Sequence, residues 1–237
     1  ATHLNALTSP DEAAFYTSGR TSNEASFVYQ LFAKEFGTNN MPDCSNMCHE
    51  TSGSALRPTI GIGKGTVKLE DFYDTDVILI IGQNPGTNAP RMMSALAKGK
   101  KNGAKIIAVN PLPEAGLMGF RNPQEVSGVL GHGGKLADLY LPVKINGDMA
   151  FLKAIELLLL DFEKKSSGEV LDHGFIKEKT VNFDSFVEQF AKYNLDDLAA
   201  EAGLTPAAIY EAAQMLAFKK RIIICWGMGV TQQPNGV

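Results

Sequence analysis

Val77-Ile78-Leu79-Ile80-Ile81-Gly82-Gln83-Asn84-Pro85 decides the fold. Five aliphatic residues follow one another without polar alternation, and a turn-forming Gly-Gln-Asn-Pro closes the run. A strand with one wet face alternates. A strand covered on both faces does not, and that is the mark of a parallel sheet flanked by helices. Four other runs predict strands on the same grounds: Ala14-Phe15-Tyr16-Thr17-Ser18, Lys105-Ile106-Ile107-Ala108-Val109, Leu139-Tyr140-Leu141-Pro142-Val143 and Arg221-Ile222-Ile223-Ile224-Cys225-Trp226. Helical patterns lie between them, at 22–36 with Ser22 as N-cap, 90–101, 147–164, 184–192 and 206–219. Thr205-Pro206 sets a capping hydroxyl before a proline at the first helical position. Strands alternating with helices predict an α/β fold, a doubly wound, mostly parallel sheet with helices on both faces.

In such sheets ligands bind beyond the carboxyl ends of the strands. The residues there are Gly82-Gln83-Asn84-Pro85-Gly86-Thr87-Asn88, Asn110-Pro111-Leu112-Pro113-Glu114, Lys144-Ile145-Asn146-Gly147-Asp148 and Gly227-Met228-Gly229-Val230-Thr231-Gln232. None is a G-x-G-x-x-G or Walker sequence. Each alone reads as an ordinary turn. Together, on one sheet edge, they favour a nucleotide-type ligand, which backbone amides and Asn, Asp and Gln side chains can hold.

The bulk properties narrow the class. The 237 residues are 44% hydrophobic and 20% charged, with a net charge of −4. That balance gives no reason to expect nucleic acid or an anionic membrane as partner. Three cysteines make no disulfide framework, so a reducing, cytoplasmic setting is expected. The longest apolar stretch, near Ile155, is too short to span a bilayer. Ala1 opens the chain without an initiator Met and Val237 closes it within a loop, so a fragment of a longer protein is expected.

Residues 37–66 carry little regular pattern, and a loop that long in a compact domain is usually functional or disordered. Within it lies Asn39-Asn40-Met41-Pro42-Asp43-Cys44-Ser45-Asn46-Met47-Cys48-His49-Glu50. Cys48 admits three readings: a buried inert thiol, half of a zinc site with Cys44, or a nucleophile oriented by His49. Asp43 and Glu50 read equally well as solvated loop charges.

The order of these motifs resembles the α-subunit of molybdopterin (guanine dinucleotide) oxidoreductases, in their formate dehydrogenase-like branch. The matching pieces are Thr38-Asn39-Asn40 with Cys48-His49, then Gly82-Gln83-Asn84-Pro85, Gly103-Ala104-Lys105-Ile106-Ile107, and Trp226-Gly227-Met228-Gly229-Val230-Thr231-Gln232. The resemblance implies a two-electron oxidoreductase acting on a small-molecule substrate, with molybdopterin guanine dinucleotide and Mo or W as cofactors. It places Cys48 at the metal-ligand position, where a soft thiolate suits the metal, and His49 where a histidine handles the substrate proton. It assigns Asn84, Thr87, Asn110, Asn146 and Asp148 to turns that contact the dinucleotide arm. Met228, Gly229 and Gln232 fall in the loop near pterin and metal. One departure stands out: many formate dehydrogenases carry Asp-Pro-Arg where this chain has Asn110-Pro111-Leu112, so a basic phosphate contact is lost or supplied elsewhere.

The same resemblance implies that 1–44 belongs to a neighbouring α/β domain and 45–237 to the dinucleotide-binding domain. A 4Fe-4S cluster and the domains that complete the active site would belong to the full-length parent, leaving this chain inactive alone. Two other readings stay open from the residues: a standalone nucleotide-binding module without metal, and an enzyme with a cysteine nucleophile.

Overall fold

The computed structural model describes residues 1–19, 21–42 and 48–237. Asp43 and Cys44 lie outside the described residues. The chain forms two compact units, Ala1–Lys64 with Val237, and Gly65–Gly236. The sequence reading divides the chain after 44; the helix that opens at Glu50 carries the first unit beyond that point.

The second unit is built on four strands, β1 (Val77–Ile81), β2 (Lys105–Val109), β3 (Leu139–Leu141) and β4 (Ile222–Trp226). They lie in the order β3-β2-β1-β4, and every pairing is parallel. Val77 stands level with Lys105 and Ile222, and Ile81 with Val109 and Trp226, so the strands end together. All five β1 residues are buried. Because side chains alternate across a strand, Ile78 and Ile80 face one layer and Val77, Leu79 and Ile81 the other.

On the first face lies α3 (Pro90–Lys101), whose Met93 and Leu96 pack on Ile78, Ile80, Ile106 and Ala108. Covering a side chain such as Leu96 contributes about 1.5–3 kcal/mol. The second face carries α4 (Asp148–Lys165), α7 (Leu195–Ala202) and α8 (Pro206–Leu216). Asn194 caps α7 and Thr205 caps α8, each through a side-chain oxygen that accepts backbone N–H bonds. The helices α5 (His173–Lys179) and α6 (Phe183–Phe190) lie between α4 and α7 in the chain. The doubly wound parallel sheet is therefore as the sequence predicts, although β3 stops before Pro142, which has no N–H for a ladder.

The first unit holds α1 (Asn23–Phe36), capped by Ser22 and ended by Gly37 at φ 100°, and α2 (Glu50–Ile60). Two expectations fail here. Residues 14–18 form no strand. Phe15 instead anchors the segment against α1, with its ring 5.9, 5.6 and 5.4 Å from those of Tyr29, Phe32 and Phe36. Its N–H donates to the Asn40 carbonyl at 2.8 Å, while Tyr16 is exposed. The apolar run served one aromatic anchor, not a ladder. The stretch 37–66 is also not irregular throughout, because α2 occupies its middle. Gly53 and Pro58 hid that helix from the sequence pattern. Pro58 sits in its last turns, and Gly61 at φ 80° ends it. Among the described residues, no helix is long and apolar enough to cross a membrane.

Candidate functional site

The loops after β1 and β4 are held together backbone to backbone. Gly82, at φ 59°, follows β1, and the Gly229 N–H donates to its carbonyl at 3.1 Å. A Cβ on Gly82 would stand 2.7 Å from the Val230 nitrogen, and one on Gly229 would stand 2.7 Å from the Gly82 carbonyl oxygen. Side chains would force these loops apart. The glycines of Trp226-Gly227-Met228-Gly229 thus permit a closure at the carboxyl edge.

Asn84 caps the helical turn Pro85–Asn88: its Oδ1 accepts from the Thr87 N–H at 3.1 Å, and its Nδ2 donates to the Glu114 carboxylate. Thr87 itself is exposed. Asn110 is buried and donates through Nδ2 to the Gln83 carbonyl at 3.0 Å. Its own carbonyl accepts from the Tyr140 hydroxyl at 2.7 Å. Burial, and then the Glu114 charge, push the Tyr140 phenol above its usual range. Asn146 is exposed in the left-handed region at φ 68°. Asp148 is buried at the head of α4 and accepts from Gln233 Nε2 at 2.5 Å; the same amide group donates to the Gly229 carbonyl. Met228 is exposed, with its Sδ 3.4 Å from Gln232 Nε2.

Sequence reasoning set Gln83 and Thr231 in these loops without a role of their own, and did not reach Gln233. Gln83 Oε1 and Thr231 Oγ1 are buried and have no hydrogen-bond partner among the described residues. Buried polar atoms are nearly always satisfied, so two orphans on adjacent strand ends call for an explanation. The third is Gln233, which ties the β4 loop to Asp148. A cavity of about 440 Å³ opens beside the β1 loop, lined by Asn84, Thr87, Arg91, Ser94, Gly116 and Gln124 among others.

Cys48 and His49 belong to the first unit, while all the loop residues above belong to the second. Cys48 lies half-buried just ahead of α2. His49 is the exposed N-cap residue of that helix, and its Nδ1 lies 3.3 Å from Ser52 Oγ. Among the described residues, no group of three or more His, Cys, Asp or Glu side chains could hold a metal ion. Cys225, half-buried in β4, has its thiol pushed up to about 12 by burial and is no nucleophile near neutral pH.

The donor chemistry fits a molybdopterin cofactor: the sheet edge of the second unit offers amide and hydroxyl groups with unused hydrogen-bonding capacity, and the first unit holds in Cys48 a soft sulfur of the kind that suits Mo or W. The family match is direct. Residues 2–237 match the molybdopterin oxidoreductase family, and the chain belongs to it. It is 52% identical to an uncharacterized oxidoreductase of Mycobacterium tuberculosis (strain ATCC 25618 / H37Rv), covering 100% of this chain and 30% of that protein. It is 47% identical to Protein YdeP of Escherichia coli (strain K12), covering 98% of this chain and 31% of the other. It is 30% identical to the F420-dependent formate dehydrogenase 2 subunit alpha of Methanococcus maripaludis, covering 97% and 31%. The chain thus spans about a third or less of the length of these curated relatives. Among solved structures, acetylene hydratase from Pelobacter acetylenicus superposes with a TM-score of 0.68 at 22% identity, covering 96% of this chain and 28% of that one. That likeness speaks to the fold.

Proposed function

We propose that this chain forms the part of a formate dehydrogenase-like molybdopterin oxidoreductase that grips one pterin guanine dinucleotide arm and presents a ligand to the metal. Residues 45–237 are the dinucleotide-binding domain on this reading, and 1–44 belong to a neighbouring one. The orphaned Gln83 Oε1 and Thr231 Oγ1 at the carboxyl edge carry the proposal, because a polar ligand laid across the strand ends would satisfy both. When bound, the pterin dithiolenes with Mo or W would supply the two-electron redox chemistry.

The residues of the chain then divide the work. Gly82 and Gly229 close the β1 and β4 loops so that a ligand meets one continuous edge. Asn84, Thr87, Asn110, Asn146, Asp148, Met228, Gly229 and Gln232 line or shape that edge. Asn84, Asn110 and Asp148 do so chiefly by fixing loops, since their side chains already bond within the protein. Cys48 offers its sulfur to the metal, and His49, exposed beside it, can take or return a proton at an imidazole nitrogen. The small-molecule substrate, the 4Fe-4S cluster and the domains that finish the cavity come from the parent protein, which we place in the cytoplasm. The 237-residue chain alone turns over no formate on this reading.

The test is nucleotide content. The full-length protein, purified from cells that make the cofactor, is hydrolysed and its released GMP counted per chain. Gln83→Leu with Thr231→Val, which removes the hydrogen-bonding groups at similar volume, lowers that number. Unchanged GMP content in a folded double variant would overturn the proposal.

A further inference from the structure

A dinucleotide laid along the carboxyl edge brings a diphosphate with it, and each phosphate carries negative charge. The four edge loops, 82–88, 110–114, 144–148 and 227–232, hold one basic residue among them, Lys144, and two carboxylates, Glu114 and Asp148. Lys144 is already committed. Its Nζ donates to the Ala200 carbonyl at 3.2 Å, and its stem lies so close to Gly203 that a Cβ there would stand 2.4 Å from its Cγ. Two carboxylates and a committed lysine make a poor setting for a phosphate. The cation that a diphosphate needs has to come from beside the loops.

Arg91 stands there. It is the second residue of α3 and lines the cavity of about 440 Å³ beside the β1 loop, together with Asn84, Thr87 and Ser94. Of the residues lining that cavity, Arg91 alone is charged. Among the described residues, no carboxylate lies within ion-pair distance of it. The cavity owes its space to glycine: a Cβ on Gly116 would stand 3.0 Å from Met93 Cε and 3.2 Å from Gly86 Cα. No side chain caps the start of α3, so the positive end of its dipole adds to the Arg91 charge. One group opposes an anion here: the Glu114 carboxylate, which accepts from Asn84 Nδ2. Repulsion on the Asn84 side and attraction from Arg91 together set an anion toward the helix start.

We infer that Arg91 is the residue of this chain that holds the diphosphate of the dinucleotide arm, with the hydroxyls of Thr87 and Ser94 as further donors beside it. A guanidinium presents a planar fork of N–H groups that matches two phosphate oxygens at once, which a lysine cannot reproduce. The inference rests on the reading of this chain as dinucleotide-binding. It adds the group that neutralises the diphosphate, which the edge loops do not supply. Arg91 binds and orients, and takes no part in the redox chemistry.

The test takes full-length protein in two states. As purified from cells that make the cofactor, it is moved to cofactor-free buffer and the loss of GMP per chain is followed in time. Arg91→Met, which removes the charge at similar length, should release GMP at least about tenfold faster. Arg91→Lys, which keeps the charge and loses the fork, should fall between. Lys101→Met, at the far end of α3 and outside the cavity, should match the unsubstituted protein. After the cofactor is stripped, inorganic pyrophosphate should slow the modification of Arg91 by phenylglyoxal, counted by peptide mass spectrometry, and guanosine should not. This second arm needs no variant, so it decides the matter even if Arg91→Met does not fold. Unchanged release from folded Arg91→Met overturns the inference, as does an absence of protection by pyrophosphate; in both cases GMP in the unsubstituted protein leaves the dinucleotide reading standing. An absence of GMP from the unsubstituted protein overturns that reading and the assignment of Arg91 with it.

Discussion

The Gly229 N–H donates to the Gly82 carbonyl at 3.1 Å, and no side chain fits between these two residues. This contact fixes the relation of the β1 and β4 ends. Gly229→Ala places a methyl group 2.7 Å from the Gly82 oxygen, so the loops must part. A destabilisation of roughly 1–3 kcal/mol is expected from such overpacking. Urea titration of the chain measures it, and the variant of full-length protein should also lose bound GMP.

Asn110 explains a departure from the pattern of the formate dehydrogenases it resembles. Its Nδ2 donates to the Gln83 carbonyl, which a carboxylate cannot do. Asn110→Asp therefore sets an acceptor against an acceptor at a buried position, and about 1–3 kcal/mol of stability should be lost at neutral pH. Acidification should return part of it, because a protonated aspartic acid can donate. A denaturation midpoint followed from neutral to acid pH checks both points.

Asp148 depends on Gln233 for a partner at the head of α4. Gln233→Ala leaves a buried carboxylate oxygen without its protein partner, at a cost of roughly 1–3 kcal/mol. Asp148→Asn with Gln233→Ala should cost less than the sum of the two single changes, since the pair acts as one unit. A double-mutant cycle by urea denaturation gives the coupling.

Glu163 closes the end of α4 onto the next turn. Burial raises its carboxyl, but the N–H bonds from Leu171 and Val170 and the contact with His173 outweigh it and hold the group below its ordinary value of 4.5. The folded value is the lower one, so its stabilisation is present above the unfolded value and fades as pH falls through the folded one. Amide exchange at Val170 and Leu171 should quicken across that acid window, after correction for intrinsic rates. Glu163→Gln should be protected less at neutral pH and show no such step.

What the sequence discloses follows from how local its cause is. Val77 to Ile81 was legible because burial on both faces leaves no room for a polar residue. Thr205-Pro206 was legible because a cap and its proline need nothing beyond their own turn. Residues 14–18 misled because one buried aromatic, Phe15, suffices to hold an extended segment without any ladder. The helix at Glu50–Ile60 was obscured by Gly53 and Pro58, whose low propensity the surrounding turn tolerates. Gln83, Thr231 and Gln233 stood out least, because nothing in their neighbours along the chain shows what lies across the sheet edge.

The central claim is that Cys48 holds the metal while the sheet edge holds the dinucleotide. It is tested most directly by measuring molybdenum, tungsten and GMP together in full-length protein carrying Cys48→Ser. The account predicts that metal per chain falls by about tenfold, the order expected for a weakened ligand set, while GMP per chain holds near the unsubstituted value. Metal retained at full occupancy in the serine variant, with GMP equally present, would contradict it.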